Sequence, residues 1–445
     1  MFYWQERVFF LDASYQIFSL LEQDGLPIQH QRYGGALVLF LPYLLAQIQA
    51  PLALVLVSYS LSFALYPLLF YLLLQRVRLQ PFAWAIGCLF LFVTAHTFFW
   101  IQNELIISTV LALVTVGIST VQHWAMSWRV LLLLPLSLLT IYTHPLGIAP
   151  LLAGWLFFLV REVRSQSPHK KQSYFILAVM VVAFLLFIGR QFLFNQSNYD
   201  QAAMGMAENM LANLPGLFGH PAMDRFMRYS LSTQLPLTMA LILILHQYIR
   251  RKEWWRLTVI VLPFFTWLCL IVCAWPWAPD RFYIESYYYV FGSILALPFV
   301  FDVLPQLSSK WIKRLLLGFV LFRLVSILLV SPTYQDRFNY LEEKVSLLQD
   351  QEQQRLLIQK DSLDMELLKM EWGLSFETLL LSSYLDPQRA RTIMAIEGEP
   401  PAYCDDPDLA AVPTVFGPLG YRRLQDQAYI QLTDTSAVSD VGLRW

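Results

Sequence analysis

Asp12, His30 and Arg32 stand in FYWQERVFFLDASYQIFSLLEQDGLPIQHQRYGG, residues 2–35, beside the first long apolar run. A carboxylate at Asp12, with aromatic residues before it and an Ala-Ser pair after it, would have its neutral form favoured by desolvation, which suits a general base. A helix cap or a solvated loop acid accounts for the same residue equally well. Glu104, in FFWIQNELIIST, is a second acid at the mouth of an apolar helix, where ionisable groups usually face a cavity or a partner. The structural alternative is that Asn103 caps that helix and Glu104 sits in its first turn, where the dipole favours negative charge. His30 and Arg32, in IQHQRYGG, are close enough to share one anionic ligand. Arg281 and Glu285, in APDRFYIESYYYV, form a further pair at i and i+4, which either binds substrate or bridges internally. His144, in YTHPLG, marks a tight turn before it marks a proton donor or acceptor.

Other chemistries are not written in the chain. There is no Walker loop, dinucleotide glycine fingerprint or G-x-S-x-G elbow, and no His-x-x-His or Glu-x-x-His arrangement for a dedicated metal site. Cys88, Cys269, Cys273 and Cys404 give neither a disulfide framework nor metal spacing. A formal net charge of −1 argues for no nucleic-acid partner. With 57% hydrophobic and only 14% charged residues in 445, the chain is too apolar for an ordinary soluble protein and reads as a polytopic membrane protein.

The elements that must position these groups follow from the apolar runs. Ten segments long enough to cross a bilayer lie between residues 52 and 331, among them 83–100 and 104–121. The run 35–49, GALVLFLPYLLAQIQ, is taken as a shallow helix interrupted by Pro42. With that choice, one set of alternate loops carries fourteen Lys and Arg and the other only five, Arg7, Arg32, Arg225, Arg228 and Arg281. Basic loops prefer the cytoplasm, so the N-terminal stretch and the polar tail fall outside, in the periplasm of a bacterial inner membrane. The expected division is a first outer loop with its shallow helix over 1–51, a helix bundle over 52–331 and a periplasmic C-terminal domain over 332–445. No cleavable signal peptide precedes the loop. The loop 194–234 is long enough to suggest a lid. In the tail, LEEKVSLLQDQEQQRLLIQKDSLDMELLKM reads as a surface amphipathic helix, and ETLLLSSYL and RTIMAIEG as short strands. The fold class is thus an all-α polytopic membrane protein of about ten transmembrane helices with a small α/β C-terminal domain.

This layout resembles the GT-C class of membrane glycosyltransferases, which use polyprenyl-phosphate-linked sugars. The likeness rests on the loop with Asp12, the shallow helix in RYGGALVLFLPYLLAQ, Arg76 and Arg78 after the next element, and QNEL with Glu104 at the following outer turn. It covers residues 2–120 in detail and the rest in topology. The family's first span has no counterpart before Met1, and a lone Asp replaces its acidic pair. The resemblance implies an inverting sugar transfer from a polyprenyl-phosphate donor, in contact with membrane lipid, to an acceptor that is a glycan, a lipid or a protein. Asp12 would be the general base and Glu104 would hold a sugar or acceptor hydroxyl. Arg32 and Arg281 would neutralise the departing phosphate, with His30, His144 and Glu285 binding substrate. No cofactor is required by this scheme, and a divalent metal stays open. A transporter or flippase of a lipid-linked substrate, and a non-catalytic assembly subunit, are the alternatives.

Overall fold

A computed structural model describes residues 3–23, 25–164, 170–193, 210–277, 281–347, 353–405, 411–415, 417–420, 429–430 and 439–440. The chain is an all-α multi-pass membrane protein with a small βαβ unit near its C-terminus. Among the described residues seven helices are long and apolar enough to cross a bilayer, and one bent pair of helices would make an eighth span if the two cross as one. The two remaining expected spans, 83–100 and 104–121, form shorter helices, α5 (Gln80–Val93) and α6 (Glu104–Ser119). At ~1.5 Å per residue these reach only about 21–24 Å, against a hydrocarbon core of about 30 Å.

The bundle is built around α6 and α13 (Arg281–Pro298). Every residue of α6 from Leu105 to Ser119 is buried, which no lipid-facing helix would show. Around them run α4 (Leu52–Arg76), α7 (Met126–Thr143), α8 (Ile148–Arg164), α9 (Lys170–Leu193), α11 (Leu235–Arg250) and α12 (Trp254–Ala274). Rows of exposed apolar side chains, such as Leu65, Leu68, Leu69 and Leu72 on α4, are surface that only lipid can cover at this extent. Helix α10 (Pro221–Leu231) meets α11 at an 85° bend. Of the expected lid loop 194–234, residues 194–209 lie outside the described residues.

Two short helices can turn inside the bundle because the turn between them is satisfied from elsewhere. Helix α5 stops at Val93, and the carbonyls of Leu91 and Phe92 accept from Arg323 at 3.1 and 2.6 Å. The next amides, of Ala95, His96 and Thr97, donate to the Glu285 carboxylate at 2.6, 3.0 and 2.8 Å. One buried cation thus takes the loose carbonyls of a helix end and one buried anion takes the loose amides. The turn 94–103 is sunk beneath a cap of non-membrane structure.

That cap joins the two ends of the sequence. The first stretch is helical rather than a loop: α1 (Trp4–Val8) and α2 (Asp12–Glu22) precede α3 (Ala36–Gln47). Helix α3, about 18 Å long, is too short to cross, as expected for the run 35–49, and packs on α4. The last span is part of α14 (Ser309–Leu347), 39 residues long, so about 28 Å of it projects beyond a ~30 Å core. Its far half carries β1 (Arg355–Gln359), α15 (Leu374–Leu385) and β2 (Thr392–Ile396), with β1 and β2 parallel. A further pairing joins β3 (Ala411–Val412) to β4 (Leu419–Gly420), and β5 (Ser439–Asp440) adds to β1.

Two expectations for the tail are corrected. The stretch expected to be one amphipathic helix is divided between the end of α14 and strand β1, and ETLLLSSYL belongs to a helix, α15, while RTIMAIEG does supply a strand. A short continuous apolar run does not distinguish a buried strand from a buried helix. Parallel pairing of β1 with β2 decides it, because such neighbours need a crossover, which α15 provides. Helix α15 is buried all round, since α2 covers the side turned away from the sheet through Tyr15–Phe376 and Phe18–Phe376 ring contacts at 4.9 and 5.2 Å. The first loop and the C-terminal unit therefore share one end of the bundle, to which Tyr429 adds a 2.7 Å hydrogen bond to the Ala50 carbonyl.

Candidate functional site

The site lies beneath this cap, at the turn 94–103. Asp12 is the first residue of α2 and is half-buried. Among the described residues its carboxylate accepts from Trp100 Nε1 at 3.3 Å. Burial, reinforced by the charge of Glu104, pushes its pKa up to about 7, against the pull of the Trp100 bond and of Arg32. The helix-cap explanation fails on geometry: the N-cap is Leu11, and no side chain caps there.

Glu104 is the first residue of α6, and Asn103 caps that helix by accepting from the Leu105 and Ile106 amides. The structural alternative for this acid is therefore present, and its carboxylate makes two further side-chain contacts. Glu104 accepts from Arg32 Nη1 at 3.1 Å through Oε2 and from Gln102 Nε2 at 2.9 Å through Oε1. Gln102 in turn accepts from Tyr59 at 2.6 Å, which fixes which way its amide points. Arg32 and Glu104 keep 11% and 14% of their side-chain surface exposed, so the pair is reachable and not sealed.

Arg32 is held on the turn that follows α2. His30 and Gln31, the two residues before it, both have left-handed backbone at φ 48° and 58°. Such conformations in non-glycine residues persist only where the surroundings impose them. His30 itself is exposed. His144 adjoins the cluster: Arg32 and Arg190 both act on it, and these charges add to burial in driving its pKa well below the ordinary value. It is a neutral imidazole whose Nδ1 accepts from the Leu146 amide at 3.2 Å, so Nε2 carries the proton and is the donor. His144 thus forms the turn and also adjoins Arg32 and Arg190. Gly34 lets the Arg32 segment approach α7, for a Cβ there would collide with the Thr143 side chain.

Asp12, Arg32, Glu104 and His144 are thus drawn together from four separate segments. Glu285 is not among them. It is wholly buried, and beside the amides of the turn it accepts from Thr97 Oγ1 at 2.6 Å and Tyr229 at 2.5 Å. Its carboxylate is filled by donors of the protein itself, which corrects its expected place in substrate binding. The side chain of Arg281 lies outside the described residues.

Sequence reasoning passes over four residues. Trp100 and Gln102 hold the acids, Tyr59 holds Gln102, and Arg190 supplies a second guanidinium. Arg190 is 6% exposed and stands over the Tyr142 ring at 5.3 Å, next to the Tyr33–Tyr142 pair. Its signal is present in FIGRQFLF, an isolated charge in an apolar run, which by the same rule applied to Glu104 marks a partner or a cavity.

Among the described residues no group of three or more His, Cys, Asp and Glu could hold a metal ion. In the site itself Glu104 is bound to Arg32. An apolar cavity lined by Phe226, Ile271, Tyr287, Tyr288 and Phe291 has no acid or base in its wall and is not this site. The site has one carboxyl that titrates near neutrality, one carboxylate tied to a cation, two guanidiniums and a neutral imidazole donor. No protein-family model, curated protein or solved structure matches this chain.

Proposed function

We propose that the protein is a glycosyltransferase that moves a sugar from a polyprenyl-phosphate-linked donor to an acceptor at the outer face of a bacterial inner membrane. In this reading α5 and α6 complete ten crossings and the cap is periplasmic. The observation that carries it is the meeting of Asp12, which accepts from Trp100 and is pushed up to about 7, with the Arg32–Glu104 pair beside a bilayer-facing bundle, while Arg190 acts on the adjoining His144. A base that is half ionised at neutral pH is matched to removing a proton in the transition state. Arg32 beside it, and Arg190 beside His144, suit charge that develops on a leaving phosphate.

In the reaction so read, ionised Asp12 takes the proton of the acceptor hydroxyl or amine. The freed electron pair attacks the anomeric carbon from the side opposite the phosphate, and the configuration inverts. The carbon–oxygen bond to phosphate breaks, and polyprenyl phosphate leaves with that electron pair, its charge balanced by Arg32 and Arg190. Glu104, fixed by Arg32 and Gln102, accepts from a sugar or acceptor hydroxyl, and His144 Nε2 donates to a substrate oxygen. The isoprenoid tail stays in hydrocarbon, where it has nothing to gain by leaving.

The transporter alternative draws on His246 and Arg323. His246 is an exposed residue, and three N–H groups of Arg323 hold the carbonyls of Leu91, Phe92 and Thr233, which favours a fixed role for it over a moving one. The test is Asp12→Asn in reconstituted vesicles supplied with polyprenyl-phosphate sugars. Transfer should fall by about 10²–10⁴-fold at unchanged protein yield, and near-normal transfer would remove Asp12 from the mechanism and with it this reading.

A further inference from the structure

The residue before Asp12 has a backbone that leucine avoids. Leu11 adopts φ 41° and ψ −113°, outside the regions open to an L-residue with a branched side chain, and it is the N-cap of the acid's helix. Something must impose this, and the described contacts identify it. The Leu11 amide donates to Glu377 Oε1 on α15, in the C-terminal unit. Arg337, on the projecting half of α14, donates to the same Oε1 at 2.6 Å, to the Phe9 carbonyl at 3.0 Å and to the Leu368 carbonyl at 3.0 Å. Its guanidinium also lies over the Phe10 ring at 4.7 Å. Gly373 makes the approach feasible: a Cβ there would stand 2.9 Å from Leu11 Cα and 3.3 Å from Glu377 Oε1.

We propose that the C-terminal unit positions Asp12, with Glu377 holding the Leu11 amide and Arg337 holding Glu377, so that the start of α2 is set from outside the membrane bundle. Two observations favour this over a plain structural staple. The pair is 2% and 0% exposed, and Glu377 Oε2 has no hydrogen-bond partner among the described residues. A buried ion pair left half satisfied is a poor source of stability, which well-packed apolar side chains would supply better. All of its described bonds instead converge on residues 9 to 11 and the chain that faces them. The consequence for rate rests on Asp12 being the base proposed above, whereas the positioning itself does not.

The closing experiment reads the carboxyl directly. Dicyclohexylcarbodiimide attaches to buried protonated carboxyls, so the fraction of Asp12 labelled at each pH, measured by mass spectrometry on the full chain in lipid vesicles, reports its titration. The charges acting on it are Glu104, Arg32 and Glu377. In the unaltered protein labelling should fall with a midpoint at about 7. Gly373→Ala adds no charge but displaces Leu11, and should move the midpoint down by about one unit or more as Asp12 gains water. Glu377→Gln should do the same. An unmoved midpoint in a folded Gly373→Ala protein overturns the proposal, as does a shift in Glu377→Gln alone, which would be the removed charge. If either fails to assemble, Arg337→Lys decides, since it keeps the charge and loses the fork to both carbonyls. A shifted midpoint in a protein that transfers no sugar would leave the positioning standing and defeat the glycosyltransferase reading.

Discussion

Asp12 and Glu285 approach the same turn, 94–103, and are opposite kinds of carboxylate. Glu285 accepts from three consecutive amides and two hydroxyls, and those bonds close the gap between two short helices. Asp12, among the described residues, accepts from one indole N–H at 3.3 Å and is followed by no such closure. Both are carboxylates near the start of a helix in an apolar chain, and although Asp12 is half-buried and Glu285 wholly so, depth is not the main difference between them. What separates them is satisfaction: a carboxylate whose lone pairs are filled by the protein holds structure, and one left short of donors keeps a proton to exchange.

The widest test of that contrast is a pair of isosteric amides. Asp12→Asn should lower transfer by about 10²–10⁴-fold while the thermal midpoint stays or rises, because a neutral group replaces an acid that burial disfavours when charged. Glu285→Gln should do the reverse. Its new NH2 group would face amide donors, and a loss of about 3–5 kcal/mol, typical of breaking a buried charged network, should appear as a lower midpoint and yield. A stable Glu285→Gln protein together with a collapsed Asp12→Asn protein would break the comparison.

The cations come next. Arg32→Ala and Arg190→Ala each remove a charged donor, and each should raise KM for the lipid-phosphate donor by about 10–100-fold, matching about 1.5–3 kcal/mol per charge-assisted hydrogen bond. They should differ in a second readout. Arg32 holds the Asp12 pKa down, so its loss should move the acid limb of the rate profile to higher pH.

That acid limb is itself expected. With Asp12 raised to about 7, activity should climb about tenfold per pH unit below 7 and level off above it. Stability runs the other way. The folded-state pKa is above the unfolded one, so the contribution of protonated Asp12 is complete below the unfolded value near 4 and is lost as pH rises through 7. Asp12→Asn should flatten both limbs, which thermal melts between pH 4 and 8 would show.

Asp12, Glu104, Arg32 and His144 are legible in the sequence because charge is rare in this chain and a rare charge beside an apolar run must have a reason. The shallow helix is legible from its length and Pro42. Glu285 is misjudged because its spacing to Arg281 suggests a bridge, while its actual partners are amides about 190 residues away, invisible to any local pattern. The same holds for Arg337 and Glu377, which lie in the polar tail as two ordinary charges until the chain ends meet. The α15 segment is unreadable for another reason: LLLSSYL has no period to distinguish strand from helix, and only the parallel neighbours of the sheet decide it.

The finest cut falls on Tyr59→Phe. It deletes one oxygen that touches neither acid, so a comparison based on depth alone expects nothing from it. Satisfaction expects something small and specific. The Tyr59 hydroxyl anchors the Gln102 amide through its oxygen, and a Gln102 without that anchor holds its NH2 group on Glu104 less firmly. Glu104 would then depend more on Arg32, drawing that guanidinium inward and away from Asp12 and phosphate. The expected loss is about 0.5–1.5 kcal/mol, the net worth of an ordinary hydrogen bond, read as a several-fold fall in kcat/KM with the acid limb moved slightly upward because Arg32 no longer offsets the burial of Asp12. Unchanged kcat/KM and an unchanged pH profile in the Tyr59→Phe protein would mean that Glu104 is held by Arg32 without help, and that the chain from Tyr59 through Gln102 belongs with Glu285 among the structural contacts.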